Sequence, residues 1–256
     1  MAHYNSCRIL QPRLTLFGVQ KEVSELRLNR PVQNGFEFRD WPVVKYLADK
    51  KDFDINEIHW EYIPEYIHDE FELREARIMN SWLLAKGESL FKNERGYASN
   101  YREGALYGRC LVLSSGFFEW RHIPVIGKRG KPLAQTEKIP YYITLKSKPE
   151  YFFMAGVSRI WTNHTRSQSA DTFAIVTTEA NELMSLVNNE KKRMPVIFNE
   201  DLALKWLTSN LSENEIYHLA NYKYDTKDMI AWPVEKGFIN KSNPDEEFQY
   251  DNLPAL

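Results

Sequence analysis

Residues 106–123 read LYGRCLVLSSGFFEWRHI, a segment rich in β-branched and aromatic side chains. Such a composition is typical of β-strands. Three later segments have the same character: PYYITL at 140–145, YFFMAGVSRIW at 151–161 and TFAIVTT at 172–178. The middle of the chain is therefore predicted to form a sheet of several strands.

Helices are predicted on both sides of these strands. Apolar residues recur at helical spacing over about residues 12–28 and again over about 71–84. Asn199 is predicted to begin a third helix, with two acidic residues in its first turn. Ser212 is predicted to begin a fourth, because Glu215 stands where a capping box requires it.

Short helices among many strands predict an α+β fold rather than a regularly alternating parallel sheet. No segment has the composition of a linker, so residues 1–256 are expected to form a single domain. The last part, about 236–256, is polar and is expected to be a loosely ordered tail.

The composition limits the kinds of partner. With 33 Lys and Arg against 35 Asp and Glu, the net charge is -2, so a nucleic acid would need a local basic face. Cys7 and Cys110 have neither metal-ligand spacing nor a disulfide pattern, and Cys110 is expected to be a buried core residue. No apolar stretch is long enough to span a membrane. A cytoplasmic, monomeric protein without cofactor or metal is expected.

Five short motifs follow one another along the chain. WEYIP at 60–64 is followed by RCLV at 109–112 and GFFEW at 116–120, then by TTEAN at 177–181 and RMPVI at 193–197. In order and spacing they resemble the SRAP family, the SOS-response-associated proteins that handle abasic sites in single-stranded DNA. The resemblance implies a strand-rich, barrel-like sheet core with flanking helices.

The resemblance also implies a chemistry. Members of this family present a cysteine directly after the initiator methionine, and its freed α-amine attacks the aldehyde of an open abasic deoxyribose. The thiol then closes a thiazolidine ring, which cross-links protein and DNA. The amine suits this attack because its unperturbed pKa of about 7.7–8.0 leaves part of it neutral near pH 7. A Glu, a His and an Asn transfer protons around the ring.

Most of these groups are replaced in this chain. Ala2 stands at the nucleophile position without a thiol, Leu84 stands at the Asn position, and Asn188 stands at the His position. Glu119 alone keeps a catalytic position, although a Glu between two aromatic residues is also typical of the exposed position of an alternating strand. The thiazolidine chemistry is therefore predicted to be lost.

Candidates for contact with DNA remain. Cations at family positions can neutralise phosphates, and aromatic side chains can stack on exposed bases, although aromatic residues near a proline are often core packing. The candidates are Lys86, Arg102, Arg109, Arg193, Tyr66 and Trp60.

The predicted function is binding of single-stranded DNA at abasic sites in the response to DNA damage, without the cross-link. Whether the chain is an enzyme stays open, because a residual lyase or peptidase could use the α-amine of Ala2 together with Glu119. A second alternative is a protein-interaction module that has reused the DNA groove; an acidic groove would favour it.

Overall fold

The computed structural model describes residues 3–127, 131–147, 149–251 and 253–256, so Ala2 lies outside the described residues. The strands are β1 (Tyr4–Arg8), β2 (Arg13–Leu16), β3 (Val19–Glu22), β4 (Asn29–Asn34), β5 (Asp40–Leu47), β6 (Asp52–Trp60), β7 (Leu84–Lys86), β8 (Arg109–Ser114), β9 (Gly116–Ile126), β10 (Pro132–Leu145), β11 (Phe152–Asn163), β12 (Gln168–Glu179), β13 (Arg193–Pro195), β14 (Ile197–Phe198) and β15 (Met229–Pro233). The helices are α1 (Glu70–Arg77), α2 (Arg102–Tyr107), α3 (Glu182–Val187), α4 (Glu200–Thr208) and α5 (Glu213–Ala220). Within the described part of the chain, no helix is long and apolar enough to cross a membrane.

Five strands close into a barrel. They are hydrogen-bonded in the order β12-β6-β5-β8-β11, and β11 pairs with β12 to complete the ring. The β6–β12 pair is parallel, whereas the other four pairs are antiparallel. Trp41, Trp60 and Phe173 come from three neighbouring barrel strands and lie in ring contact. The predicted α+β fold with a barrel-like sheet is confirmed.

A second sheet carries the GFFEW motif. Its strand order is β15-β10-β9-β1-β4, which places β9 between the first strand and the long strand β10. Phe117 belongs to the main core, whereas Phe118 packs with Tyr142 and Phe238 in a smaller apolar cluster on the other face. Because successive side chains of a strand alternate, Glu119 shares the face of Phe117 and points toward the main core.

The helix predicted over residues 12–28 is wrong. The segment forms the antiparallel hairpin β2–β3, and its two-residue turn holds Phe17 at φ 52° and Gly18 at φ 76°. Two consecutive positive φ values are those of a type I′ turn, which joins tightly paired strands. The spacing of the apolar residues fits a helix, but Leu14 and Leu16 are buried in strand alternation.

Of the other three predicted helices, two are confirmed and one is confirmed in part. Of the segment about 71–84, only the first part is helical, since α1 ends at Arg77. Asn199 and Ser212 cap α4 and α5 as predicted, and the Ser212–Glu215 capping box is complete.

The end of the chain makes hydrogen bonds with the rest of the fold, and the expectation of a loosely ordered tail over 236–256 stays a prediction. Arg121 donates hydrogen bonds to the carbonyls of Pro254 at 2.6 Å and Ala255 at 3.0 Å. The hydroxyl of Tyr250 donates to the carbonyl of Val234 at 2.7 Å. These hydrogen bonds attach the segment to the fold at a few points, whereas most of its described side chains are exposed, as its polar composition predicts.

Candidate functional site

Glu119 lies in the interior, next to the start of the first strand. Tyr4 of β1 pairs with Phe118, so His3, the residue before Tyr4, approaches Glu119. The carboxyl group is 1% exposed, and its burial raises its pKa. The alternative of an exposed strand position is therefore excluded, and a carboxyl with a raised pKa is able to hold and deliver a proton.

His3 lies beside Glu119, and the sequence analysis did not identify it as a site residue. Its carbonyl accepts a hydrogen bond from the amide of Gly35 at 2.7 Å, and its ring centroid is 4.7 Å from that of Phe36. Burial lowers the pKa of His3 to about 4, which keeps the imidazole neutral at pH 7. The five motifs contain no signal for this residue, because only the strand register brings it beside Glu119.

The turn at Gly35 lies between His3 and Leu83, the residue before Leu84. A Cβ built on Gly35 would lie 3.1 Å from Leu83 and 3.3 Å from the carbonyl oxygen of His3. Only a glycine fits such a close approach without displacing its neighbours. Leu84 follows Leu83 directly and is the first residue of β7.

Leu84 and Lys86 line the edge of a cavity of about 550 Å³. The hydroxyl of Tyr101 donates to the carbonyl of Leu84 at 3.1 Å and fixes one wall of this cavity. We call it the β7 cavity; its lining residues are Asn80, Ser81, Trp82, Leu84, Lys86, Ser89, Asn93, Glu94, Arg95, Tyr97, Ala98, Ser99, Asn100 and Tyr101. Most of the lining groups are uncharged amides, hydroxyls and aromatic rings.

Tyr66 lies beside the β7 cavity. Its side chain is half exposed and is hydrogen-bonded to Asn100, one of the lining residues. Trp60, in contrast, is fully buried, and its indole nitrogen donates to the carbonyl of Leu83 at 3.1 Å. The expectation that Trp60 stacks on a base is corrected, because neither of its faces reaches solvent.

Three of the predicted DNA-binding cations each face a carboxylate. The Lys86 amine lies 2.8 Å from Glu94, and Arg193 forms a two-pronged pair with Glu88 at 2.6 and 2.9 Å. The third cation, Arg102, pairs with a carboxylate at the start of α5, Glu213. The cations are present at the predicted positions, but their charge is balanced within the protein.

Arg109 and Asn188 have structural partners. The guanidinium of Arg109 donates to four backbone carbonyls at 2.7–3.1 Å, those of Ala105, Leu106, Trp206 and Ser209. It therefore holds the ends of α2 and α4, and its hydrogen bonds are not directed to the surface. The side-chain amide of Asn188 donates to the carbonyl of Arg193 at 2.9 Å and is 3% exposed, so it holds the turn before that arginine.

Both cysteines are buried. Cys110 is fully buried as expected, and burial raises the pKa values of Cys7 and Cys110 to about 12. Neither is an accessible thiolate. Within the ranges that the structure describes, no three His, Cys, Asp or Glu side chains group as metal ligands.

Comparisons with known proteins agree with the fold and the motifs. The family model "SOS response associated peptidase (SRAP)" matches residues 12–241. The abasic site processing protein YoqW of Bacillus subtilis is 27% identical over 192 residues, which cover 75% of this chain and 74% of YoqW. The abasic site processing protein HMCES of Gallus gallus is 25% identical over 179 residues, 64% of this chain and 48% of HMCES. A crystal structure of a protein from Bacteroides thetaiotaomicron is 27% identical and superposes with a TM-score of 0.75, covering 96% of this chain and 100% of that one.

Proposed function

The chain belongs to the SRAP family, and on that basis we propose that it binds single-stranded DNA at abasic sites without forming the thiazolidine cross-link. The observation that carries the proposal is the contrast between Glu119 and Leu84. Glu119 of β9 keeps a buried carboxyl group beside the start of β1, whereas Leu84 presents a hydrocarbon where the family has an amide. The site has kept its position in the fold and has lost part of its proton-transfer machinery.

Loss of the cross-link follows from the thiol that the ring closure requires. Ala2 has no sulfur, and Cys7 is fully buried within β1 with a pKa raised to about 12. A cysteine at position 7 also lacks an α-amine on the same residue, so it cannot close a five-membered ring with the imine carbon. The chemistry available to the chain therefore stops before the thiazolidine.

Binding to DNA is supported by the side chains around the β7 cavity. Tyr66 presents a half-exposed ring, and Lys86 and Arg102 lie where a phosphate could approach. Because both cations already face a carboxylate, a phosphate has to replace that partner. We therefore expect modest affinity that decreases steeply with salt concentration.

A second candidate function is a reversible Schiff base. It is favoured by one observation, the raised pKa of the buried Glu119 carboxyl. If Met1 is removed, the α-amine of Ala2 adds to the aldehyde carbon to give a carbinolamine. Glu119 protonates its hydroxyl, which leaves as water, and the resulting carboxylate takes back the remaining proton of the nitrogen. The product is an imine, which is reversible unless it is reduced.

The test is a titration of labelled single-stranded DNA by fluorescence anisotropy, with and without one abasic site. The proposal predicts tighter binding to the abasic strand than to the intact strand or a duplex, and no adduct that survives heating. An adduct that appears only after borohydride treatment would favour the Schiff base. Equal, weak binding to all strands would contradict the proposal and favour a protein-interaction module.

A further inference from the structure

We propose that the β7 cavity receives an unpaired nucleobase next to the abasic position. This inference rests on the proposed function and adds a base-binding subsite to it. The cavity, at about 550 Å³, is within the usual range of small-ligand sites, about 300–1,000 Å³. It is therefore large enough for one base and part of its sugar.

The chemistry of the walls fits a base better than a phosphate. Six lining residues are asparagines or serines, with uncharged amide or hydroxyl groups: Asn80, Ser81, Ser89, Asn93, Ser99 and Asn100. Amides and hydroxyls can pair with the donors and acceptors on a base edge, which single-stranded nucleic acid leaves open. The charged lining residues, Lys86, Glu94 and Arg95, include one internal ion pair, so one net positive charge remains for the backbone.

Tyr97 supplies a surface for stacking. Its side chain is 69% exposed although it lines the cavity. The side-chain oxygen of Asn93 accepts hydrogen bonds from the amides of Arg95 at 3.0 Å and Tyr97 at 3.1 Å. Gly96, at φ 82°, allows the chain to turn tightly between them. The ring is thus presented on a closed turn, which reduces the entropy lost when a base stacks on it.

The position of the cavity relates it to the abasic site. Leu84 lies on its edge and occupies the position of the family's amide, which acts on the abasic sugar. The residue before it, Leu83, is fully buried and lies against Gly35, whose amide donates to the carbonyl of His3, and the strand register places His3 beside Glu119. A strand whose abasic sugar lies near Glu119 would bring a neighbouring nucleotide to Leu84.

The experiment couples a protein change to a DNA change. Dissociation constants are measured for a single-stranded oligonucleotide with one abasic site and for strands in which the 5′ or the 3′ neighbouring base is also absent. The variants are Tyr97→Ala, Tyr97→Phe and, as a matched control, Tyr107→Ala. Tyr107 is 85% exposed at the end of α2 and is not among the residues that line the cavity.

We expect Y97A to weaken binding of the first oligonucleotide by at least about fivefold, the effect of losing one stacked base. Y97A should have no further effect on the strand that lacks the relevant neighbouring base, whereas Y97F and Y107A should bind like the unchanged protein. Equal behaviour of Y97A and Y107A, or an effect of Y97A that persists without the neighbouring base, would overturn the inference. If the unchanged protein did not prefer the abasic strand at all, the proposed function itself would fail.

Discussion

The buried carboxyl group of Glu119 lowers the stability of the fold at neutral pH. Its pKa in the folded protein is raised by burial, whereas in the unfolded chain it is near the ordinary value of about 4.3. The contribution of such a group to the free energy of unfolding is fully present below the pKa of the group in the unfolded chain. It is lost as the pH rises toward the pKa in the folded protein, because the unfolded state releases the proton first. A residue that destabilises the protein in this way is a candidate for function.

We therefore predict that Glu119→Gln stabilises the protein at pH 8 and that the gain shrinks as the pH falls toward 4. The neutral amide has nearly the same shape but no proton to lose. Urea unfolding at several pH values measures the effect, with Glu75→Gln on the exposed side of α1 as the control for removing one acidic group. A difference between Glu119→Gln and the unchanged protein that did not vary with pH would refute the raised pKa of Glu119.

The ion pair of Lys86 and Glu94 leads to a prediction on DNA affinity. Both side chains are largely exposed, so the pair contributes little to stability, and Glu94→Gln should leave folding unchanged. The variant should bind abasic single-stranded DNA more tightly, because the amine no longer has to exchange a carboxylate for a phosphate. The gain in affinity should shrink as the salt concentration rises, because salt screens the attraction between the amine and the phosphate.

Glu22→Gln provides the matched control for this measurement. Glu22 forms an exposed ion pair with Arg13 on the β2–β3 hairpin, and neither residue lines the β7 cavity. Both variants change the net charge by the same amount. If the two variants raised the affinity equally, the effect would come from net charge, and Lys86 would not be a specific phosphate contact.

At the scale of single elements, a prediction was correct where neighbouring residues in the sequence satisfy each other's hydrogen bonds. The capping box of α5 was predictable because Ser212 and Glu215 satisfy each other's backbone amides within four residues. The β2–β3 hairpin was not predictable. The spacing of its apolar residues fits a helix as well as a strand, and its turn residues are Phe17 and Gly18 rather than the usual Asn-Gly. Short segments with ambiguous periodicity are where tertiary pairing overrides local preference.

The cap of α5 can be tested by Ser212→Ala. Loss of the hydroxyl leaves the amide of Glu215 without its acceptor, and we expect the free energy of unfolding to fall by about 1 kcal/mol. Ser24→Ala, at an exposed position before β4, is the control. Chemical denaturation measures both, and an equal, negligible change in the two variants would show that the capping box does not contribute to stability.

At the scale of the whole molecule, the order of the motifs predicted the family and the barrel-like sheet. The closure of the barrel could not be derived from local patterns, since β6 and β12 pair across more than a hundred residues.

The candidate site was predictable only where a motif contains the residue. Glu119 and Leu84 were identified from motifs, whereas His3 and Tyr97 depend on strand register and on a folded turn. The carboxylate partners of the cations, such as Glu88, were also not predictable, because ion pairs between distant elements have no characteristic spacing in the sequence.

The central claim is that the site recognises the abasic position but no longer cross-links it. The most direct measurement incubates the purified protein with abasic single-stranded DNA and separates the heated mixture on a denaturing gel, beside an Ala2→Cys variant and with parallel native gels. The account predicts a shifted complex on the native gel and no heat-stable band for the unchanged protein. A heat-stable adduct of the unchanged protein, formed without borohydride, would contradict it.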